Sequence, residues 1–194
     1  MKRFVLFLLA MCSFTFSYSQ LVKDLLTPEE KEYNEKTKDD AFLAPMSKLV
    51  GKKWYVNASS YFIFNQNGTG ARVYNIDNNN YTYPIKAIKT FTFRWKRNGV
   101  DMKHLMTPKL WVYQPVESSL SKLSPREKAK VKKDYAESQT RDRNEDYSDA
   151  GKWHEDEIYK LTNDILILMM NNGEDYFYLV TKKKLDEIMA RSKE

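Results

Sequence analysis

The residues most able to do chemistry in this 194-residue chain are its two histidines, His104 and His154, and the carboxylates around the second. An imidazole titrates near neutrality, and beside a carboxylate it can bind a metal or move a proton. His154 stands in Trp153-His154-Glu155-Asp156-Glu157. On a strand successive side chains alternate faces, so His154 shares a face with Asp156 and not with Glu155 or Glu157. The spacing is not the His-Glu-x-x-His of a zinc helix. No Gly-x-Ser-x-Gly elbow occurs, and Gly68 and Gly70 are turn residues, not a phosphate loop. The expectation is no catalysis, no metal and no cofactor, with His104 on a strand and His154 exposed at the exit of an insertion.

A second candidate chemistry is binding. Trp54, Phe62, Phe64, Phe91, Phe93 and Trp95 lie in segments of two-residue period, with Thr90, Thr92, Arg94 and Lys96 alternating against the last three. If such strands enclose a cavity, these six aromatics are its lining candidates, because small molecules are held in apolar pockets with few polar groups. The alternative is that they pack solidly against each other. Aromatics interleaved with basic residues, as in 91–97, are also what single-strand nucleic-acid binders use. Alternation sends the two kinds of side chain to opposite faces, so no nucleic-acid partner is expected.

The elements that must position these residues are mostly strands. Tyr61-Phe62-Ile63-Phe64 runs into Asn65-Gln66-Asn67-Gly68 and resumes over 71–76, and Asn98-Gly99 turns the 91–97 strand into 100–106. An Asn-Gly step between alternating runs signals a hairpin, because the favoured tight turn needs positive φ at both central residues. Trp111 and Tyr113 mark one more strand before Pro115. Downstream, Ile158-Tyr159-Lys160-Leu161 leads to the run 165–170, and Asn171-Asn172-Gly173 turns it into Tyr176-Phe177-Tyr178-Leu179-Val180. Leu185, Ile188 and Met189 have helical spacing and predict a short C-terminal helix.

Two charged segments interrupt this pattern. Thr27-Pro28-Glu29-Glu30 combines a capping threonine, a proline at the first helical position and a glutamate three residues after the cap, so a helix starts there. Its body offers almost no apolar stripe beyond Tyr33, which predicts a surface helix or spacer. Ser124-Pro125-Arg126-Glu127 repeats the grammar inside an insertion, 116–152, and predicts a helix to about Gln139 followed by a polar run over 140–149. Val131 and Tyr135 are its one spaced apolar pair, so the helix is expected to be only lightly held. It is either a mobile appendage or a functional lid.

The first nineteen residues read as an export signal: basic Met1-Lys2-Arg3, an apolar run over 4–11, and Ser17-Tyr18-Ser19 before cleavage at Gln20. Cys12, the only cysteine, follows Leu9-Ala10-Met11 and invites the alternative of a lipoprotein. Met11 is not the small residue such a box has, and the apolar stretch runs on past Cys12, so export to the periplasm or beyond is the preferred expectation. Cleavage before Gln20 leaves no cysteine, hence no disulfide and no thiol chemistry. Without Lys2 and Arg3 the chain has 30 basic against 26 acidic residues, and its formal charge falls from +6 to +4. No later stretch approaches the roughly 18 apolar residues of a membrane-spanning helix.

Together these readings give a signal peptide at 1–19, a charged helical segment at 20–47, and one domain at 48–194 carrying the 116–152 insertion. The fold class is mainly β: eight or nine antiparallel strands joined by tight turns, which protect their edges most economically by closing into a single up-and-down barrel of the calycin or lipocalin-like kind. Leu49-Val50-Gly51-Lys52-Lys53-Trp54, the 61–70 hairpin, Phe93-Arg94-Trp95-Lys96 and the 158–166 segment resemble the lipocalin-like domains of exported Bacteroidota proteins. That resemblance spans roughly 48–182 outside the insertion and implies the same barrel. Two functions stand at this point. One is a carrier that binds a small hydrophobic molecule in the barrel. The other is a structural or interaction protein with a solid core, meeting a protein partner through the 116–152 insertion.

Overall fold

The computed structural model describes residues 21–37, 41–106, 112–144, 151–170 and 175–192. The expected signal segment with Cys12, Trp111 and the 171–173 turn lie outside them. Nine strands form one antiparallel sheet: β1 (Lys53–Asn57), β2 (Ser60–Phe64), β3 (Thr69–Asn78), β4 (Ile85–Asn98), β5 (Asp101–Met106), β6 (Val112–Pro115), β7 (Trp153–Leu161), β8 (Ile165–Met170) and β9 (Asp175–Val180). Eight of them close in the order β1-β2-β3-β4-β5-β7-β8-β9, the ring being completed where Tyr55 of β1 pairs with Val180 of β9. This is the expected up-and-down barrel. Gly68 (φ 77°) and Gly99 (φ 61°) occupy the left-handed conformations that the Asn-Gly steps call for between β2 and β3 and between β4 and β5.

The fourteen-residue strand β4 pairs with three neighbours. On one edge β3 pairs with it from Ile85 to Arg94. On the other, β5 takes Phe93–Asn98 and β6 takes Ala87–Thr90. The first half of β4, the far half of β3 and β6 therefore extend beyond the barrel as a three-stranded tongue. Residues Ile85 and Ala87 alternate in phase with Phe91, Phe93 and Trp95, so the tongue presents a continuation of the barrel's inner face.

Helix α4 (Pro125–Asn144) and the 3-10 turn Glu117–Leu120 lie on that face. Leu120, Leu123, Val131 and Tyr135 are all buried against Ile85 and Ala87, and the amide of Val116 donates to the Lys86 carbonyl at 2.7 Å. The expectation of a lightly held helix is thus overturned, as is its end at Gln139, since the helix runs on to Asn144. A narrow stripe suffices because the partner surface comes from strands that look, in sequence, like ordinary barrel wall.

One end of the barrel is sealed. Residues 41–50, including the short helix α3 (Met46–Leu49), cross it and bury Ala41 and Leu49 in the interior cluster with Trp54 and Phe64. Arg97 clasps this segment: its Nε donates to the Gly99 carbonyl at 2.6 Å, one terminal nitrogen to Ala44 at 3.0 Å, and the other to Ala41. The β2–β3, β4–β5 and β7–β8 connections lie at this end. The tongue, helix α4 and the β1–β2 turn lie at the opposite one.

The outer wall is covered by α1 (Val22–Leu25) and α5 (Lys182–Arg191), whose Val22, Leu185 and Ile188 bury Tyr55, Ile167 and Val180. Helix α2 (Pro28–Lys36) has the expected capping box on Thr27 and Glu30. Lacking an apolar stripe, it docks by polar contacts instead. Tyr178 donates to Glu35 at 3.1 Å, the Tyr159 hydroxyl to the Glu35 carbonyl, and Lys160 to Thr37 at 3.0 Å. Arg191 of α5 meets Glu30 at 2.8 Å. No helix among the described residues is long and apolar enough to cross a membrane.

Burial works to raise the Glu30 carboxyl pKa, but the hydrogen bonds from Arg191 and Thr27 outweigh it and hold it below the ordinary 4.5. A depressed carboxylate contributes stability that is complete above the unfolded-state value and is lost as pH falls through the folded one. Glu30→Gln should therefore lower stability at neutral pH and leave it nearly unchanged at pH well below the ordinary 4.5, so that urea midpoints measured across pH fall less steeply on the acid side than those of the native chain. Arg97→Leu should loosen the seal. Hydrogen exchange at Val50 and Gly51, whose amides are bonded to Met46 and Phe64 carbonyls, should accelerate about tenfold or more, as expected when charge-assisted bonds worth ~1.5–3 kcal/mol are removed; amides of β8 should stay protected.

Candidate functional site

The barrel interior keeps a cavity of about 240 Å³. Its walls are Phe62 and Phe64 of β2, Phe91 and Phe93 of β4, Phe177 and Leu179 of β9, Met102 of β5 and Leu168 of β8, with Arg72, His104 and Asp156 as its polar members. The rings meet edge to face, which suits their quadrupoles: Phe62 against Phe177 at 87°, and Phe64 against Phe93 at 73°. Four of the six expected lining aromatics are therefore in the cavity wall.

Trp54 and Trp95 are not. A buried indole N–H needs an acceptor. Trp54 donates to the Leu49 carbonyl and Trp95 to the Thr69 carbonyl, each at 2.8 Å, both acceptors being at the sealed end. The two tryptophans form the floor beneath the cavity, with Trp95 edge-on to Phe64 at 5.4 Å. Phe177 was legible as an alternating aromatic of β9, whereas Arg72 and Asp156 carried no apolar signal at all.

Gly70 explains why space remains beside Phe93. It pairs directly with Phe93 across β3 and β4, and the ring lies over the glycine so closely that a Cβ there would sit 2.4 Å from two ring carbons. The ring is thus drawn back against the wall instead of standing into the barrel.

The polar groups gather on β3, β5 and β7. His104 Nδ1 lies 3.0 Å from Asp156 Oδ2, and the His104 ring stacks on His154 at 5.1 Å with 18° between planes. The expectation of an exposed His154 is corrected: the side chain is half-buried on the inner face, and its Nε2 is enclosed without a hydrogen-bond partner. The reason is that β7 begins at Trp153, so the polar run 153–157 is strand, not loop exit. Alternation places His154 and Asp156 together, as their spacing implied. Strand β5 supplies His104 opposite His154 in register.

Arg72 projects inward between aromatic rings, its guanidinium carbon 5.0 Å from the Phe62 centroid and 4.7 Å from that of Tyr74. Its Nε is buried without a hydrogen-bond partner. Burial pulls the guanidinium pKa below its ordinary value and pushes that of the Tyr74 hydroxyl above its own. Arginine stays cationic under such shifts. Among the described residues no group of three His, Cys, Asp or Glu side chains is placed to hold a metal ion.

Comparison with protein-family models, with curated proteins and with solved structures finds no match to this chain. The site therefore has to be read from its own geometry.

Gly70→Ala should drive the Phe93 ring off the wall. Overpacking of this kind costs about 1–3 kcal/mol, to be read as a lowered thermal midpoint, and the displaced ring should shrink the cavity for any probe that enters it.

Proposed function

We propose that this chain is an exported, lipocalin-like carrier that holds a small hydrophobic molecule inside its barrel and performs no catalysis. The observation that carries this reading is the retained cavity of about 240 Å³, walled by phenylalanines and aliphatic side chains above a sealed floor. An eight-stranded barrel can be filled by its own side chains or hold one small ligand. Here the two tryptophans fill one end only.

Size limits the ligand class. A dry apolar cavity of roughly 150 Å³ holds one benzene ring, and drug-sized ligands occupy from about 300 Å³ upward. A cavity between these takes one ring with a short substituent, or a short acyl chain. The insertion supports the same reading, since α4 is seated on the inward-facing surface of the tongue, at the end away from the seal, where a ligand would enter. Export rests on the signal-like segment 1–19 and would place the carrier in the periplasm or outside the cell.

Native mass spectrometry of protein from its own source, with extraction of the denatured sample, tests the proposal. A stoichiometric small apolar adduct released on denaturation is the expected result. A clean apo mass, with no uptake of short-chain or single-ring probes, would overturn it in favour of a solid structural barrel. Leu168→Trp, which builds an indole into the cavity wall, should abolish probe uptake while the far-ultraviolet circular dichroism of the barrel persists.

A further inference from the structure

Resting on the carrier reading, we infer that the ligand is an amphiphile with an anionic head group, a small carboxylate whose charged end is received by Arg72 and whose apolar body lies among Phe62, Phe91 and Phe177.

The argument starts from what Arg72 lacks. A cation inside an apolar wall is costly unless a partner or a cation-binding surface compensates it. The two rings beside it, Phe62 and Tyr74, engage the guanidinium through their faces. That contact fixes the side chain but uses none of its N–H groups, which lie in the plane of the guanidinium and point along its edges. Nε is buried and makes no hydrogen bond. The site thus holds a pre-oriented fork of donors beside an apolar cavity, the arrangement that matches a carboxylate by two parallel bonds.

The carboxylate that the cavity wall has among the described residues does not fill this role. Asp156 is on β7, three strands from Arg72 on β3 by way of β4 and β5, and it is already engaged by His104 at 3.0 Å. Lys89 adds a further positive charge on the approach. It is the next inward-facing position of β4 beyond Phe91 toward the tongue, paired in register with Tyr74 and lying over the Tyr113 ring at 4.7 Å. A neutral apolar ligand would leave Arg72 desolvated and without an anion. A carboxylate supplies the acceptor it lacks.

The cavity also bounds the body of the ligand. Scaling from one benzene in roughly 150 Å³, the cavity accommodates about ten non-hydrogen atoms, so octanoate and 1-octanol are a matched pair of probes. Titration calorimetry on the mature chain should show octanoate binding about tenfold or more tightly than 1-octanol, the scale of one charge-assisted hydrogen bond. Arg72→Met should erase that preference by weakening octanoate alone, and Arg72→Lys, which keeps the charge on a single point, should restore part of it. Equal binding of both probes by the native protein, or an octanoate preference that survives in a folded Arg72→Met variant, would overturn the head-group assignment and leave the carrier reading standing. Failure of both probes to bind, with no extractable ligand, would overturn the carrier reading and this inference with it.

Discussion

The whole molecule depends on an unbroken two-residue alternation along β4. Over fourteen residues the strand never changes phase, so Ile85, Ala87, Phe91, Phe93 and Trp95 all face one way. What lies opposite that face changes along its length: first an amphipathic helix, then a cavity, then a sealing segment. A single-residue slip would turn every one of these side chains to the outside and dissolve the tongue, the pocket wall and the floor together. The inward Gly70 belongs to the same constraint, because a two-residue period leaves no freedom to place Phe93 elsewhere.

The alternation also explains which parts of the protein could be read from its sequence. The hairpins at Asn65–Gly68 and Asn98–Gly99, the capping boxes and the aromatic face of β4 rest on local rules, and each appears where those rules put it. The docking of α4 could not be read that way, since Val131 and Tyr135 are ordinary residues until Ile85 and Ala87 are known to lie outside the barrel. Strand β7 starts before the apolar signal at Ile158 for a related reason. Near the mouth an inward position need not be apolar, so Trp153-His154-Glu155-Asp156-Glu157 looks like a loop. Arg72 was hidden by the same fact: a charged residue at an inward position reads as a solvent-facing one, and only pairing with Phe62 and Phe91 places it inside.

Two kinds of surface hold the appendages. Helices α1 and α5 use buried aliphatic side chains, and α4 uses Val131 with the ring of Tyr135, as amphipathic helices do. Helix α2 uses tyrosine hydroxyls, a lysine amine and an arginine against glutamate and threonine oxygens, so its position is set by direction more than by area. Burial and the adjacent Glu35 carboxylate push the Tyr178 hydroxyl above its ordinary range, so it remains a proton donor at any physiological pH. A contact of this sort specifies one placement of the helix even where little apolar surface is removed from water.

The seam between β1 and β9 has a kinetic consequence. The ring closes only where Tyr55 meets Val180, at one registered pair joining the first strand to the last. During synthesis, therefore, no barrel can exist until the final strand has been made, and β1 must wait as an open edge while more than a hundred further residues are added. Such distant pairing slows folding and exposes strand edges in the meantime. On the export proposed above, this delay would be an asset: a chain unable to close before its last strand is complete stays threadable through a translocation channel.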